Sequence, residues 1–168
     1  MTLDELNARD RRGFVVALGS VFEDSPWVAE AAWARHPFAT LDALYRAMLD
    51  AVRGASEEAQ LALIRAHPEL AGKAAIRGDL KPASQGEQSH AGLTSCTPEE
   101  LARLQALNRA YQRKFGFPFI LAVKGLDRRA IIARFAERLE RDRATELEEA
   151  LQQIARIAWL RLEALIEG

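Results

Sequence analysis

The chain predicts an all-α, single-domain helical bundle, and three observations predict it. Apolar residues recur at the three- and four-residue spacing of helix faces almost from end to end. Alternating strand-like runs are nearly absent. Helix-start signals recur, in which Ser, Thr or Asp precedes a Glu three residues on or a proline at the next position. At 168 residues and 49% hydrophobic, the chain can bury an ordinary core without disulfides or structural metal. One domain spanning residues 1–168, with about eight or nine helices, is the expectation.

The elements follow in order. Thr2 and Glu5 form a capping box ahead of a short first helix. A second starts near Asp10, with Phe14, Val15, Leu18, Val21 and Phe22 as its apolar side. Ser25-Pro26 starts a third, with proline at the first helical position, and His36-Pro37 stops it after Trp33. Thr40 caps a helix carrying Leu41, Leu44, Tyr45, Met48, Leu49 and Val52, closed by Gly54. Ser56 opens the next, with Leu61, Leu63 and Ile64, and it ends at His67-Pro68.

From Pro68 to Cys96 the apolar period fades, and this stretch reads as a long polar connection lying over the helices. Thr97 and Glu100 cap a helix carrying Leu101, Leu104, Leu107, Asn108 and Tyr111. Gly116 and Pro118 end that helix. Phe119, Ile120, Leu121, Ala122 and Val123 then read as one short, buried, extended segment. Asp127 caps a helix with Ile131, Ile132, Phe135 and Leu139, and Thr145 with Glu148 starts the long last one.

Charge excludes some partners. The chain holds 23 basic and 24 acidic residues, for a net charge of −1, so no single-sign field draws it to nucleic acid or to anionic lipid. No apolar run approaches the roughly twenty residues that span a bilayer. One cysteine, Cys96, gives no internal disulfide and no cysteine-based zinc cluster. The start, Met-Thr-Leu-Asp-Glu-Leu, lacks the regions of a signal peptide, and the end carries no peroxisomal tripeptide. A reducing cytosol and a small-molecule or protein ligand are the expectation. Glycine-rich phosphate loops, nucleophile elbows and metal-spaced histidine pairs are not found.

Several residues admit two readings each. His67 at a helix end either caps the last carbonyls or serves as a proton donor and acceptor near neutrality. Ser84-Gln85-Gly86-Glu87 has the form of a capping box, or its side chains face a ligand. Gln88 is the better binding candidate, since its amide both donates and accepts. The isolated segment 119–123 has no sheet to pair with, so its main-chain groups need a ligand, a neighbouring loop or water. Arg161 falls in the apolar stripe Leu147, Leu151, Ile154, Ala158, Leu165. Either it snorkels or pairs with a structural carboxylate, or its planar fork holds an anionic or urea-like ligand.

His67-Pro-Glu-Leu-Ala-Gly-Lys73, Ser84-x-x-Glu-Gln88 with Ala91-Gly-Leu93, and Lys114-Phe-Gly-Phe-Pro-Phe-Ile-x-Ala-Val-Lys-Gly125 together resemble the signature of the 2-oxo-4-hydroxy-4-carboxy-5-ureidoimidazoline (OHCU) decarboxylase family. Val21 to Glu30 and the last helix with Arg161 are similar too, so the likeness covers nearly the whole chain. Glu69 stands where aspartate is commoner, and Lys124 where arginine is frequent. The resemblance implies an all-α homodimer without cofactor or metal that makes (S)-allantoin in urate breakdown. It implies His67 as proton donor, Glu87 and Arg161 as polar groups of the same pocket, and Pro68, Ser84, Gln85, Gly86, Glu87, Gln88 and Phe119 to Val123 as its lining. A non-catalytic ureide- or purine-binding domain is the competing expectation, and a metal-dependent hydrolase a third.

Overall fold

The computed structural model describes residues 1–168, apart from the side chains of residues 73 and 74. Its regular structure is all helical, as the periodicity predicts, with ten α-helices and no strand among the described residues. The chain divides into two compact units, one of residues 1–66 with 154–168, the other of residues 67–153.

In the first unit the helices are α1 (Leu3–Asn7), α2 (Arg11–Ala17), α3 (Pro26–Ala32), α4 (Leu41–Arg53), α5 (Glu57–Ala66) and the later part of α10 (Arg143–Leu165). Side-chain caps start four of them: Thr2, Asp10, Thr40 and Ser56 each accept from the amide three residues on. Burial follows the stripes, with Leu6, Phe14, Leu44, Met48, Leu63, Ile64 and Leu162 closed to solvent. Helix α2 stops at Ala17, short of the expected run, and Val21 and Phe22 are buried from the turn beyond it. Ser25 starts α3 without a side-chain cap; its hydroxyl donates instead to the Glu23 carbonyl. Around Phe14, His36 stacks on Trp33 and donates from Nε2 to the Asn7 carbonyl at 2.8 Å. The Asn7 side chain in turn holds both main-chain groups of Phe38.

The second unit comprises α6 (Lys73–Arg77), α7 (Pro82–His90), α8 (Pro98–Phe115), α9 (Arg128–Leu139) and the start of α10. Its aromatic centre is Tyr111 with Phe115, Phe117, Phe119 and Phe135 around it. The capping box of Thr97 and Glu100 starts α8 as expected, and left-handed Gly116 ends it.

Three expectations need correction here. The stretch from Pro68 to Cys96 is not an irregular connection: it holds α6, α7 and a 3-10 turn at Leu93–Ser95. Helix α7 begins at Pro82 after Lys81, so Ser84 lies inside its first turn and is not its cap. The helix escapes a hydrophobic-period search because the side it buries is polar, Ser84 and Gln88. Helix α10 starts earlier than Thr145, whose amide donates to the true cap, Asp142, at 2.8 Å.

Candidate active site

His67 follows the last turn of α5 and is buried, 6% exposed. Pro68 prevents the helix from continuing. The next residues are then held by two amide side chains from two helices. Gln88 of α7 donates from Nε2 to the Glu69 carbonyl at 3.1 Å and accepts at Oε1 from the Ala71 amide at 2.9 Å. Asn108 of α8 donates from Nδ2 to the Leu70 carbonyl at 2.9 Å. Ala71 takes a left-handed φ of 49°, which costs a residue with a side chain about 1 kcal/mol and persists only where neighbours enforce it. Gly72 is required as well, since a Cβ there would meet Glu69 Cβ at 2.9 Å. The loop after His67 is therefore fixed in a turn it would not adopt unaided. An open cleft of about 660 Å³ adjoins it, lined by Pro68, Glu69, Gly72, Arg77, Gln105, Asn108 and Arg109.

On α7, positions 84, 87 and 88 share one face by helical spacing. Ser84 and Gln88 are buried, and Gln85, Gly86 and Glu87 are half-buried. The Gln85 Oε1 atom is buried with no hydrogen-bond donor among the described residues, a position suited to an N–H of a bound molecule. His90 is exposed and pairs through Nδ1 with the Gly86 carbonyl one turn back, an end-of-helix contact.

The segment 119–123 is neither helix nor strand, as expected, and Phe119, Ile120, Leu121 and Val123 are buried with Ala122 partly so. Protein side chains meet part of its main-chain demand. Arg138 Nη1 donates to the Ile120 carbonyl at 2.5 Å, and Gln153 Oε1 accepts from the Ala122 amide at 2.9 Å. The Val123 carbonyl accepts from the Leu126 amide.

Arg161 lies in the first unit, 7% exposed by its side chain, as the apolar stripe predicted. Its Nη2 donates to Glu23 Oε1 and its Nη1 to the Ser20 carbonyl, each at 3.0 Å. The carboxylate partner weighed from the sequence is thus present. His67, Ser84 to Gln88 and Phe119 to Val123 all belong to the second unit.

Four residues that hold these groups escaped the sequence reading. Arg138 occupies the stripe of Ile131 and Phe135 three positions on, the same signal that singled out Arg161, but Leu139 next to it filled the slot in the pattern. Glu146 reads as an ordinary acidic residue of a first turn once α10 is started at Thr145. Gln153 and Glu23 carry no periodic signal that separates them from surface residues. Among the described residues no three His, Cys, Asp or Glu side chains converge as a metal site. Among the described residues no helix is long and apolar enough to cross a membrane.

Fold and site define an all-α protein whose buried polar side chains stand both within helices, as Asn108 and Gln153 do, and on the connections between them, as His67 does. A profile of the OHCU decarboxylase family matches residues 7–163, and the chain belongs to that family. It is 42% identical to the 2-oxo-4-hydroxy-4-carboxy-5-ureidoimidazoline decarboxylase of Halalkalicoccus jeotgali, over 98% of this chain and 92% of that one. Its fold superposes with a TM-score of 0.80 on the crystal structure of (S)-allantoin synthase, at 30% identity, covering 99% of this chain and 54% of the other. A second crystal structure, of OHCU decarboxylase in the presence of (S)-allantoin, shares the fold with a TM-score of 0.74 at 24% identity, over 90% of this chain and 99% of that one.

Proposed function

We propose that this chain decarboxylates 2-oxo-4-hydroxy-4-carboxy-5-ureidoimidazoline to (S)-allantoin in urate degradation, as a cytoplasmic homodimer. The observation that carries the reading is a buried His67 heading a loop held by two helices, in a chain related over nearly its full length to OHCU decarboxylases.

The chemistry sets what the residues must do. Breaking the bond to the carboxylate releases carbon dioxide and leaves its electron pair on the ring carbon. The adjacent C=N bond of the substrate accepts that pair, which gives an enol-like intermediate and dispenses with an external electron sink. The ring nitrogen that receives the pair takes up one proton, and the intermediate becomes allantoin when its hydroxyl proton leaves and the neighbouring carbon gains one. His67 exchanges these protons, with Glu87 orienting the imidazole, and delivery to one face fixes the enantiomer.

Arg161 is the group proposed to hold the substrate's negative charge, its fork oriented by Glu23 and the Ser20 carbonyl. Ser84, Gln85 and Gly86 of α7 and Pro68 are proposed to line the substrate, with Gln85 Oε1 accepting from a ureide N–H. Gln88, expected to meet the ureide, already uses both ends of its amide on the 69–71 loop and is assigned to holding that loop. Along the segment 119–123, the Ile120 carbonyl and the Ala122 amide are likewise occupied, and the amides of Leu121 and Val123, on either side of Ala122, are the donors proposed for the substrate.

The test generates the substrate in place from urate and follows circular dichroism. The protein is expected to give optically active allantoin faster than spontaneous decay, which gives racemate, and a chelator should leave the rate unchanged. Binding without faster turnover would make the chain a ureide-binding domain, and loss of activity on chelation would restore the metal-dependent alternative.

A further inference from the structure

The most deeply buried charges among the described residues lie behind the segment 119–123. Arg138 and Glu146 are 1% and 0% exposed, with Arg138 Nε 2.8 Å from Glu146 Oε1. The same carboxylate oxygen accepts from the Tyr111 hydroxyl at 2.6 Å. Burial, then this hydrogen bond, push the Tyr111 phenol well above its usual range, so it stays a donor. Glu146 Oε2 has Arg141 3.7 Å away. Arg138 Nη2 has no hydrogen-bond acceptor among the described residues, but the guanidinium carbon lies 4.3 Å from the Phe119 ring centre, and Phe119 stacks on Phe135 at 3.9 Å.

Stability is a poor reason for such a cluster, because desolvating two ions cancels most of their attraction, and apolar side chains of similar volume often serve as well or better. Apolar replacements could not supply a donor to the Ile120 carbonyl or fix where that carbonyl sits. Gln153 acts on the same segment from α10: it takes the Ala122 amide on Oε1 and anchors its own Nε2 to Glu149 at 3.0 Å. Two main-chain groups two residues apart are thereby fixed, one by a charge and one by an amide. Leu121 lies between them and Val123 directly after.

We propose that Arg138, backed by Glu146 and Tyr111, and Gln153 are positioning residues that fix the 119–123 main chain so that the Leu121 and Val123 amides meet the charge developing during decarboxylation. This deepens the decarboxylase reading and rests on it. None of the four side chains is assigned to substrate. Donors held rigidly act on the transition state more than on binding, since they need no reorganisation at the moment of reaction.

The experiment replaces the cluster with apolar side chains of similar size, Arg138→Met with Glu146→Leu and Tyr111→Phe in one protein. Melting temperature, kcat and KM with substrate made in place, and amide hydrogen exchange over residues 119–123 are measured beside the parent. The expected result is a melting temperature within a few degrees, amide exchange in the segment at least tenfold faster, and kcat at least tenfold lower with KM changed less. Unchanged exchange in the segment, or kcat within twofold of the parent, would overturn the proposal.

Should the triple variant not fold, Gln153→Met and the exchanged pair Gln153→Glu with Glu149→Gln, which keeps a donor facing an acceptor between positions 149 and 153, decide it. The first removes the acceptor for the Ala122 amide and should speed exchange and lower kcat several-fold, while the second keeps an acceptor oxygen and should recover both. Equal behaviour of the two would count against the proposal. Exchange is read on the protein alone, so it judges the clamp even if the parent shows no turnover. That latter outcome would defeat the decarboxylase reading instead.

Discussion

Two short stretches of the second unit are each held at their main chain by side chains from elsewhere, and by different chemistry. Residues 69–71, following His67, are held by the neutral amides of Gln88 and Asn108. Residues 120–122 are held on one side by the buried guanidinium of Arg138 and on the other by Gln153. A neutral hydrogen bond contributes about 1 kcal/mol net and can be exchanged for another at modest cost. A buried charge has no alternative partner and tolerates no loss of the one it has. The difference matches the work proposed for each: a proton donor must adjust as protons move, whereas fixed dipoles serve best when they do not move at all.

The comparison can be broken at several points. His67→Ala should have the largest effect, lowering turnover by roughly 10²–10⁴-fold, the span general acid–base catalysis contributes, with the helical circular dichroism signal retained. Near-normal turnover in that variant would take His67 out of the mechanism. Arg138→Ala comes next: stranding Glu146 without its main partner should cost about 3–5 kcal/mol of stability, read as a lower denaturation midpoint. Gln88→Leu should cost less, about 1–3 kcal/mol, because it leaves only neutral main-chain groups unsatisfied. If Gln88→Leu proved as damaging as Arg138→Ala, the contrast between the two clamps would collapse.

The smallest effect is one of pH. Tyr45 and Tyr111 are the two tyrosines, and both phenols are shifted upward, Tyr45 by burial and then by nearby Asp42, Tyr111 by burial and then by Glu146. The unfolded chain ionises its phenols at a pKa of about 10 while the folded one resists, so this part of the stability is complete below that value and declines as pH rises through the shifted values. Phenolate absorbance should therefore appear together with loss of helical signal. A phenolate step of both tyrosines near pH 10 in protein that stays folded would contradict the burial of Tyr111 and the partial burial of Tyr45.

How far the sequence reveals all this depends on whether the burying face of each element is apolar. Helices α4 and α8 are legible because Leu44, Met48, Leu104 and Leu107 mark their inner sides and Thr40 and Thr97 mark their starts. The break at 116–123 is legible because Gly116 and Pro118 forbid continuation of the helix. Helix α7 is not, since Ser84 and Gln88 look like surface residues until the fold turns them inward. Arg161 stands out because apolar residues flank it at helical spacing. Arg138 obeys the same rule but hides beside Leu139, which is only half-buried. Pairings such as Arg161 with Glu23 join residues far apart in the chain, and no local pattern announces them.

The first and last residues meet in a single short seam: Thr2 bridges to Glu167 in parallel, the Glu167 amide donates to the Met1 carbonyl, and the Met1 amino group lies 3.3 Å from the Glu167 carboxylate. A few residues would suffice to splice the ends, so the gene could be reopened at an exposed turn such as Gly78 and still encode the same neighbours. By the same geometry, a module grafted onto either end would hang from one spot, and swapping the order of the two in a fusion would barely move it.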